Sequence, residues 1–167
     1  MSFATEVKKE LLSSISSLDS CCKKAMLYGL LQGNSEIVIT STGLKVVVKS
    51  TILNVLKVMI PLIKDLYNVN IGMSYKDEVS LRKRRFYYLE IIDNADAIIS
   101  DFKLMPFTHL SRSDEIISNS CCKSAFLGGL FIAKGSINDP RKNCYHFEIA
   151  SSKDNLIRFA ARLFKAK

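Results

Sequence analysis

The chain has 167 residues, of which 48% are hydrophobic and 24% charged, and this balance excludes intrinsic disorder and fits one domain or two small halves that share a core. The longest apolar runs, such as residues 56–63, are short and contain Lys57, which excludes a membrane-spanning helix; since the N-terminal residues also lack the apolar core of a signal peptide, we expect a cytoplasmic protein. The net charge of +8 is compatible with a nucleic acid as partner and equally with a positive surface kept for solubility.

In chain order, the residues that follow an N-terminal helix predict a helix–hairpin–helix–hairpin–helix unit. Its elements are a helix ending at residue 33, strands 36–40 and 44–48, a helix 50–67, strands 69–75 and 84–92, and a helix 94–102. Ser20 and Ser50 are expected to be helix N-caps, and Gly33 to stop the first of these helices. Pro61 is expected to kink or divide its helix, and residues 76–78 to form the tip of the second hairpin.

Residues 20–30 and 120–130 are two copies of one sequence, because eight of the eleven positions are identical at an offset of 100. That density predicts a duplicated supersecondary unit. The second copy is expected to contain a helix capped by Ser120 and stopped by Gly135, a turn at Asp139-Pro140, a strand at 145–150, and a helix capped by Ser152 or Asp154 that reaches Phe164. Residue 167 corresponds to residue 67, so we expect an incomplete second copy, with the first repeat and its N-terminal helix at 1–110 and the second repeat at 111–167.

Each repeated helix carries a stripe of small residues at steps of three or four. The two stripes are Cys22, Ala25, Gly29 and Gly33, and Cys122, Ala125, Gly129 and Ala133. Glycine inside a helix costs about 1 kcal/mol relative to alanine, so these glycines need a packing reason. We expect the two helices to cross closely along these stripes.

The cysteines occur as two vicinal pairs, 21–22 and 121–122, and a fifth residue, Cys144. Vicinal spacing differs from the Cys-x-x-Cys spacing of zinc ribbons and redox motifs. Adjacent helical side chains point about 100° apart, so a pair is not expected to place both thiolates on one metal. We therefore interpret the cysteines as small helix-packing residues and expect no metal site.

The two helix ends, LYGLLQGNS at 27–35 and LGGLFIAKG at 127–135, resemble degenerate LAGLIDADG motifs. Residues 2–11, 125–140 and 145–149 resemble the WhiA family of bacterial sporulation and cell-division regulators. The resemblance implies an α+β fold of pseudo-symmetric α-β-β-α-β-β-α repeats, with the second copy truncated here. It further implies a DNA-binding transcription regulator, associated with the nucleoid, that has no nuclease activity; the C-terminal helix-turn-helix domain of the family lies beyond this chain.

The resemblance places a catalytic, metal-binding carboxylate at the eighth motif position of each helix. Those positions hold Asn34 and Lys134, a neutral amide and a cation that repels metal ions. The nearby carboxylates Glu36 and Asp139 do not keep the paired spacing. We therefore expect no enzyme activity and no cofactor, and we interpret Lys134 either as a phosphate contact or as an ordinary exposed lysine.

The densest positive run is Arg82-Lys83-Arg84-Arg85, at the entry to the last predicted strand of the first repeat. In LAGLIDADG proteins the hairpins form a saddle in the major groove, so the resemblance places this run on double-stranded DNA. Weaker candidate DNA contacts are Lys45, Lys49, Arg141 and Lys142. Strand alternation places Tyr87, Leu89 and Ile91 on the core face and Arg84, Phe86, Tyr88 and Glu90 on the other. The alternative interpretation of the positive run is a solvated edge strand whose charges prevent aggregation. The alternative functions of the chain are a metal-dependent endonuclease and a protein-interaction scaffold.

Overall fold

The computed structural model describes residues 2–79, 83–106, 108–111, 114–142 and 146–165. Its helices are α1 (Phe3–Ser13), α2 (Ser20–Asn34), α3 (Leu53–Leu66), α4 (Ala95–Asp101), α5 (Ser120–Lys134) and α6 (Asp154–Lys165). Its strands are β1 (Ser35–Thr40), β2 (Gly43–Ser50), β3 (Ile71–Asp77), β4 (Arg85–Ile91), β5 (Gly135–Ile137) and β6 (Phe147–Ile149). The order α2-β1-β2-α3-β3-β4-α4 confirms the predicted first repeat, and α5-β5-β6-α6 repeats its first half.

The chain forms two compact units, Met1–Gly33 with His109–Lys167, and Asn34–Thr108. These units group residues by spatial contact, whereas the boundary predicted between 110 and 111 separates sequence repeats, and that boundary stays a prediction. Among the described residues, no helix combines the length and the apolar character that crossing a membrane requires.

The unit 34–108 is built on a four-stranded antiparallel sheet with strand order β1-β2-β4-β3. Val46 and Val48 of β2 lie opposite Ile91 and Leu89 of β4, and all four side chains are fully buried. The helices α3 and α4 cover this face, with buried residues that include Val55, Leu56, Met59, Ile63, Ile98 and Ile99. The alternate residues of the strands therefore form an outer face that these helices do not cover.

The α3 helix passes through Pro61 without interruption, so the expectation of a divided helix was wrong. Proline removes one backbone donor and leaves the carbonyl four residues earlier, that of Lys57, without its helical partner. Both Pro61 and Lys57 are exposed, so water can solvate that carbonyl and the helix continues.

Several predicted helix ends were wrong by one or two residues. The α2 and α5 helices begin at Ser20 and Ser120 themselves; Asn119 is the N-cap of α5, and α6 likewise begins at Asp154. Ser50 is not the N-cap of α3, although its hydroxyl accepts a hydrogen bond from the N–H of Ile52 at 3.0 Å. The α2 helix also continues past Gly33 to its end at Asn34, so that glycine lies inside the helix.

The first strand of the second hairpin lies two residues later than predicted, because β3 begins at Ile71 and includes Lys76 and Asp77, which were expected at the tip. Asp77 lies opposite Arg85 in the β3–β4 register, and the two side chains form an ion pair with Nε 2.7 Å from Oδ1. The N–H of Glu78 then donates to the carbonyl of Arg84 at 2.7 Å. The ion pair across the strands thus extends the strand pairing into residues 76–78, which were predicted to form a turn because their side chains are polar.

The other unit contains α1, α2, α5, α6 and the short hairpin of β5 and β6. An aromatic series forms its core: the ring centroids of Tyr28 and Phe126 are 5.0 Å apart, and those of Phe126 and Phe159 are 5.6 Å apart. All three residues are fully buried. The strand predicted at 145–150 is shorter, Phe147–Ile149, and Tyr145 lies outside the described residues.

Candidate nucleic-acid interface

The α2 and α5 helices touch backbone to backbone at their glycines. A Cβ atom built on Gly29 would lie 2.1 Å from the carbonyl oxygen of Phe126, and one on Gly129 would lie 2.2 Å from the carbonyl oxygen of Met26. Nearer the helix ends, a Cβ on Gly33 would lie 2.4 Å from the Cβ of Ala133. Equivalent positions of the two copies therefore meet, and the helices run in the same direction.

The remaining stripe residues also lie in this part of the protein. Ala25, Ala125, Cys22 and Cys122 are buried, whereas Ala133 is half-buried. The structure thus brings together residues that stand about a hundred positions apart in the chain, with the matched spacing of the two copies.

The cysteine pairs at the beginnings of these helices converge. The four sulfur atoms of Cys21, Cys22, Cys121 and Cys122 all lie within 4.8 Å of one another. The sequence argument considered one helix at a time and did not predict this convergence, and the expected absence of a metal site stays a prediction. Burial, together with the neighbouring thiols, raises the pKa of Cys22 to about 12. Cys144 lies outside the described residues.

Lysines surround the opposite ends of the two helices. Lys134 is exposed, and its Cγ atom would lie 3.5 Å from a Cβ at Gly33. Burial and the charge of Lys134 together lower the pKa of Lys8, whose Nζ atom stands 5.8 Å from the ring centroid of Phe131. The Nζ atom of Lys153 donates a hydrogen bond to the carbonyl oxygen of Gln32 at 3.0 Å.

The positive charges of these lysines determine whether the helix ends favour a cation or an anion. The C-terminal end of a helix carries partial negative charge, and cationic side chains placed there stabilise it. Two ammonium groups at the end of α5 oppose a divalent cation and favour an anion. Sequence reasoning missed Lys8 and Lys153, because no local pattern connects them with the motif.

The carboxylates nearest to the motif in sequence do not replace the lost ligands. Asp139 accepts hydrogen bonds from the Nε and Nη2 atoms of Arg141 at 2.9 and 2.7 Å and from its backbone N–H at 2.9 Å. These bonds lower the pKa of Asp139 to about 2. Glu36 is exposed on β1, opposite Val47. Asn34 is the half-buried last residue of α2.

The positive run at 82–85 lies at the tip of the second hairpin, where Arg82 is outside the described residues. Lys83 adopts the left-handed backbone region with a φ of 43° and is exposed. Arg84 pairs with Glu78 at 3.2 Å, and Arg85 pairs with Asp77 while its guanidinium stands 4.2 Å from the ring centroid of Tyr75. Hydrogen bonding to Asp77 also raises the pKa of Arg85. Both arginines therefore already have carboxylate partners.

The outer face of the sheet combines cations with aromatic rings. The Nζ atom of Lys49 stands 4.1 Å from the ring centroid of Phe86, and the guanidinium of Arg84 stands 5.4 Å from it. Lys45 pairs with Glu90 at 3.3 Å. By register, Tyr88 and Lys76 lie on this face as well.

Arg141 and Lys142 follow the turn after β5, in the other unit, and both are exposed. Arg141 is paired with Asp139 at 2.7 Å. Within the part of the chain that the structure describes, no carboxylate lies within ion-pair distance of Lys49, Lys83 or Lys142. These three lysines are the predicted contacts whose charge is open to an external anion.

Each half of the chain matches the model of a known domain family. Residues 20–105 match the WhiA N-terminal LAGLIDADG-like domain, and residues 123–166 match the WhiA LAGLIDADG-like domain. The chain belongs to the WhiA family. The first matched segment includes all of α2 and the second includes α5 from residue 123 onward, so the predicted family and the predicted LAGLIDADG-like fold are confirmed.

Similar WhiA proteins share about a third of their residues with this chain. One from Bacillus subtilis, described as a probable cell division protein, is 32% identical over 154 residues, which are 90% of this chain and 48% of the relative. A homologue from Bacillus cytotoxicus with the same description is 31% identical over the same shares. The chain therefore spans about half the length of the curated WhiA relatives that it matches.

Two solved WhiA structures have the same fold. A crystal structure of an N-terminal LAGLIDADG domain of WhiA superposes with a TM-score of 0.68 at 20% identity and covers 99% of this chain and 74% of that one. The full-length protein from Thermatoga maritima superposes with a TM-score of 0.67 at 18% identity, covering 99% of this chain and 50% of that one. At these identities the likeness supports the WhiA fold and not the roles of individual residues.

Proposed function

We propose that this WhiA-family chain binds double-stranded DNA without cutting it, as the DNA-contacting scaffold of a transcription regulator of cell division and sporulation. One observation carries the proposal: at the end of α5, where the LAGLIDADG motif has a metal-binding acid, this chain has the exposed Lys134, and the Nζ atom of Lys8 stands 5.8 Å from the ring centroid of Phe131, one turn earlier in the helix. Two ammonium groups repel Mg²⁺ and attract a polyanion, which removes the metal that cleavage needs and retains affinity for phosphates.

The outer face of the sheet supports the same function. Lys49 stands beside Phe86 and opposite Tyr88 on this face, and its charge is open to phosphate, as is that of Lys83 at the hairpin tip. Lysine contacts to phosphates provide affinity that is independent of sequence, through the release of counterions. Recognition of particular promoters then belongs to residues that read base edges, and we assign none of those here.

A titration of labelled duplex DNA by fluorescence anisotropy tests this surface. The double variant Lys49→Ala/Lys83→Ala, which removes the two open charges, should bind more weakly and lower the slope of log K against log[salt] by about 1.8, since each phosphate contact contributes about 0.9. The matched control is Lys57→Ala/Lys64→Ala, which removes two exposed lysines from α3, the helix that covers the opposite face of the sheet. Equal weakening by both variants, or no binding at low salt, contradicts the proposed surface.

A plasmid-nicking assay tests the absence of cleavage. Supercoiled DNA incubated with the purified chain and Mg²⁺ or Mn²⁺ should stay intact at protein concentrations that saturate binding. Metal-dependent nicking that co-purifies with the chain would instead favour an endonuclease. A chain that fails to bind duplex DNA but retains protein partners from nuclease-treated lysate would favour an interaction scaffold.

The cellular proposal follows from DNA binding. A fluorescent fusion expressed in bacteria should coincide with the nucleoid in the cytoplasm, and Lys49→Ala/Lys83→Ala should make it more diffuse. A wild-type fusion that spreads evenly through the cytoplasm would contradict nucleoid association.

A further inference from the structure

Four thiols converge at the first turns of α2 and α5, away from the lysine-rich helix ends. Each helix contributes its second and third residues, Cys21 and Cys22 or Cys121 and Cys122, and the four sulfur atoms lie within 4.8 Å of one another. Among the described residues this is the only group of three or more histidine, cysteine or carboxylate side chains whose ligand atoms converge in this way. Simple helix packing would need only the two buried cysteines, Cys22 and Cys122.

The spacing fits a tetrahedral thiolate site. With Zn–S bonds of about 2.3 Å, the sulfur atoms of a Cys₄ site stand about 3.8 Å apart. The separations between the four sulfurs are at most 4.8 Å, about 1 Å more than that value, so the thiols stand close to the spacing of a tetrahedral set. Soft thiolate ligands in a set of four select Zn²⁺ over Mg²⁺ and Ca²⁺.

The surroundings favour a negatively charged complex. A divalent cation bound by four thiolates carries a net charge of −2, and both helices direct their positive ends toward this cluster. The N-cap of α5, Asn119, makes no side-chain hydrogen bond to the first turn, which leaves those N–H groups available to the sulfurs. The exposed Cys21 and Cys121 give a metal ion access, while Cys22 and Cys122 lie inside.

We propose that Cys21, Cys22, Cys121 and Cys122 form a zinc site that links the first turns of α2 and α5. The site would connect two segments about a hundred residues apart in the chain and fix the register of the helices at the end opposite the lysines. Its role is structural, because all four positions of a tetrahedral ion are taken by protein and none is left for a substrate. The proposal is independent of DNA binding.

Metal titration of the full 167-residue chain, reduced with a phosphine and kept under anaerobic conditions, tests the site. Zinc should bind with a stoichiometry of one per chain, and Co²⁺ should give the thiolate charge-transfer and tetrahedral d–d absorption of a Cys₄ site. Cys21→Ser/Cys121→Ser should weaken Zn²⁺ binding by more than about 100-fold, since loss of even outer-shell partners costs 10–100-fold. The matched control Cys144→Ser should bind like the wild type.

Three results would overturn the proposal: no metal uptake by the reduced chain, equal uptake by the double variant, or equal loss in Cys144→Ser. A chain that stays metal-free when reduced and forms a Cys21–Cys121 disulfide in air would show a redox pair in place of a metal site. If circular dichroism shows the double variant to be unfolded, Cys21→Ser and Cys121→Ser are compared singly. Each leaves three thiolates, so a Co²⁺ spectrum identical to that of the wild type would refute the site.

Discussion

Gly29 and Phe126 are in backbone contact, since a single carbon atom added to Gly29 would lie 2.1 Å from the carbonyl oxygen of Phe126. The same relationship recurs in the second copy between Gly129 and Met26 at 2.2 Å. This reciprocity is the structural consequence of the duplicated sequence, because equivalent residues of two like helices meet at a common axis. The contact also sets how closely the two helices approach each other at their first turns, where the cysteines lie, and at their lysine-rich ends.

Replacement of Gly29 by alanine should destabilise the protein. The added Cβ meets backbone atoms that cannot rotate away, so the helices must separate. Overpacking typically costs 1–3 kcal/mol, and here we expect about 3 kcal/mol or more despite the gain of about 1 kcal/mol in helix propensity. Thermal unfolding should show a midpoint lower by roughly 6–12 °C.

The neighbouring glycine provides a control for this prediction. A Cβ on Gly128 would meet only the terminal methyl of Met26, at 3.4 Å. Gly128→Ala should therefore leave the stability unchanged or raise it by up to about 1 kcal/mol. If Gly29→Ala is as stable as Gly128→Ala, the helices do not touch as described.

The sequence contains enough information to predict the order of elements, because hydrophobic periodicity and the repeat at an offset of 100 are local or directly comparable patterns. The stripes of small residues likewise predict a close helix pair without coordinates. Helix ends were less accurate: Asn119 rather than Ser120 is the cap, since both residue types favour that position and neighbouring residues decide between them.

The contents of the candidate site were harder to predict. Lys8 and Lys153 approach the helix ends only after the chain has folded, and nothing near them in sequence marks that position. The convergence of the four sulfurs was not predicted for a related reason, since it requires two helices and the sequence argument considered one helix at a time. In both cases the missing information is a contact between distant residues.

Removal of a competing carboxylate should strengthen DNA binding. Arg84, which lies beside Phe86 on the outer face, pairs with Glu78 at 3.2 Å, so a phosphate must displace that carboxylate before the arginine can contribute. Glu78→Gln should therefore tighten binding at low salt and make the slope of log K against log[salt] steeper by about 0.9. Asp65→Asn, which removes an exposed carboxylate from α3, is the matched control. Identical changes in both variants would point to net charge alone.

The lysine pair at the end of α5 should give the stability a defined pH dependence. The pKa of Lys8 is lowered in the folded state, first by burial and then by Lys134, so the unfolded chain binds more protons between the folded and unfolded pKa values. Stability should therefore rise as the pH increases toward about 10, the ordinary pKa of lysine. Lys134→Met removes the smaller cause, and the rise should become shallower.

Urea unfolding at pH 7 and at pH 10 checks this prediction through the difference between variant and wild type. Measured against the wild type, the stability of Lys134→Met should be more favourable at pH 7 than at pH 10, because the repulsion that the substitution removes disappears as Lys8 loses its charge. Lys57→Met, on the exposed side of α3, should show a difference from the wild type that stays constant over the same range. A constant difference for Lys134→Met as well would mean that the two ammonium groups do not interact.

The carboxyl group of Asp139 should titrate well below an ordinary aspartate. Hydrogen bonds from the Arg141 side chain, and then from its N–H, lower the pKa of Asp139 to about 2, against about 3.9 in an unfolded chain. Because the folded pKa is the lower one, the stabilisation is fully present above about pH 4 and is lost as the pH falls through 2. A carbon-detected NMR titration should give a midpoint near 2 in the wild type, and Arg141→Ala should move it toward 3.9. A wild-type midpoint near 3.9 would mean that Arg141 does not hold this carboxylate, and Asp139 would then be free to act as a cation ligand beside the motif.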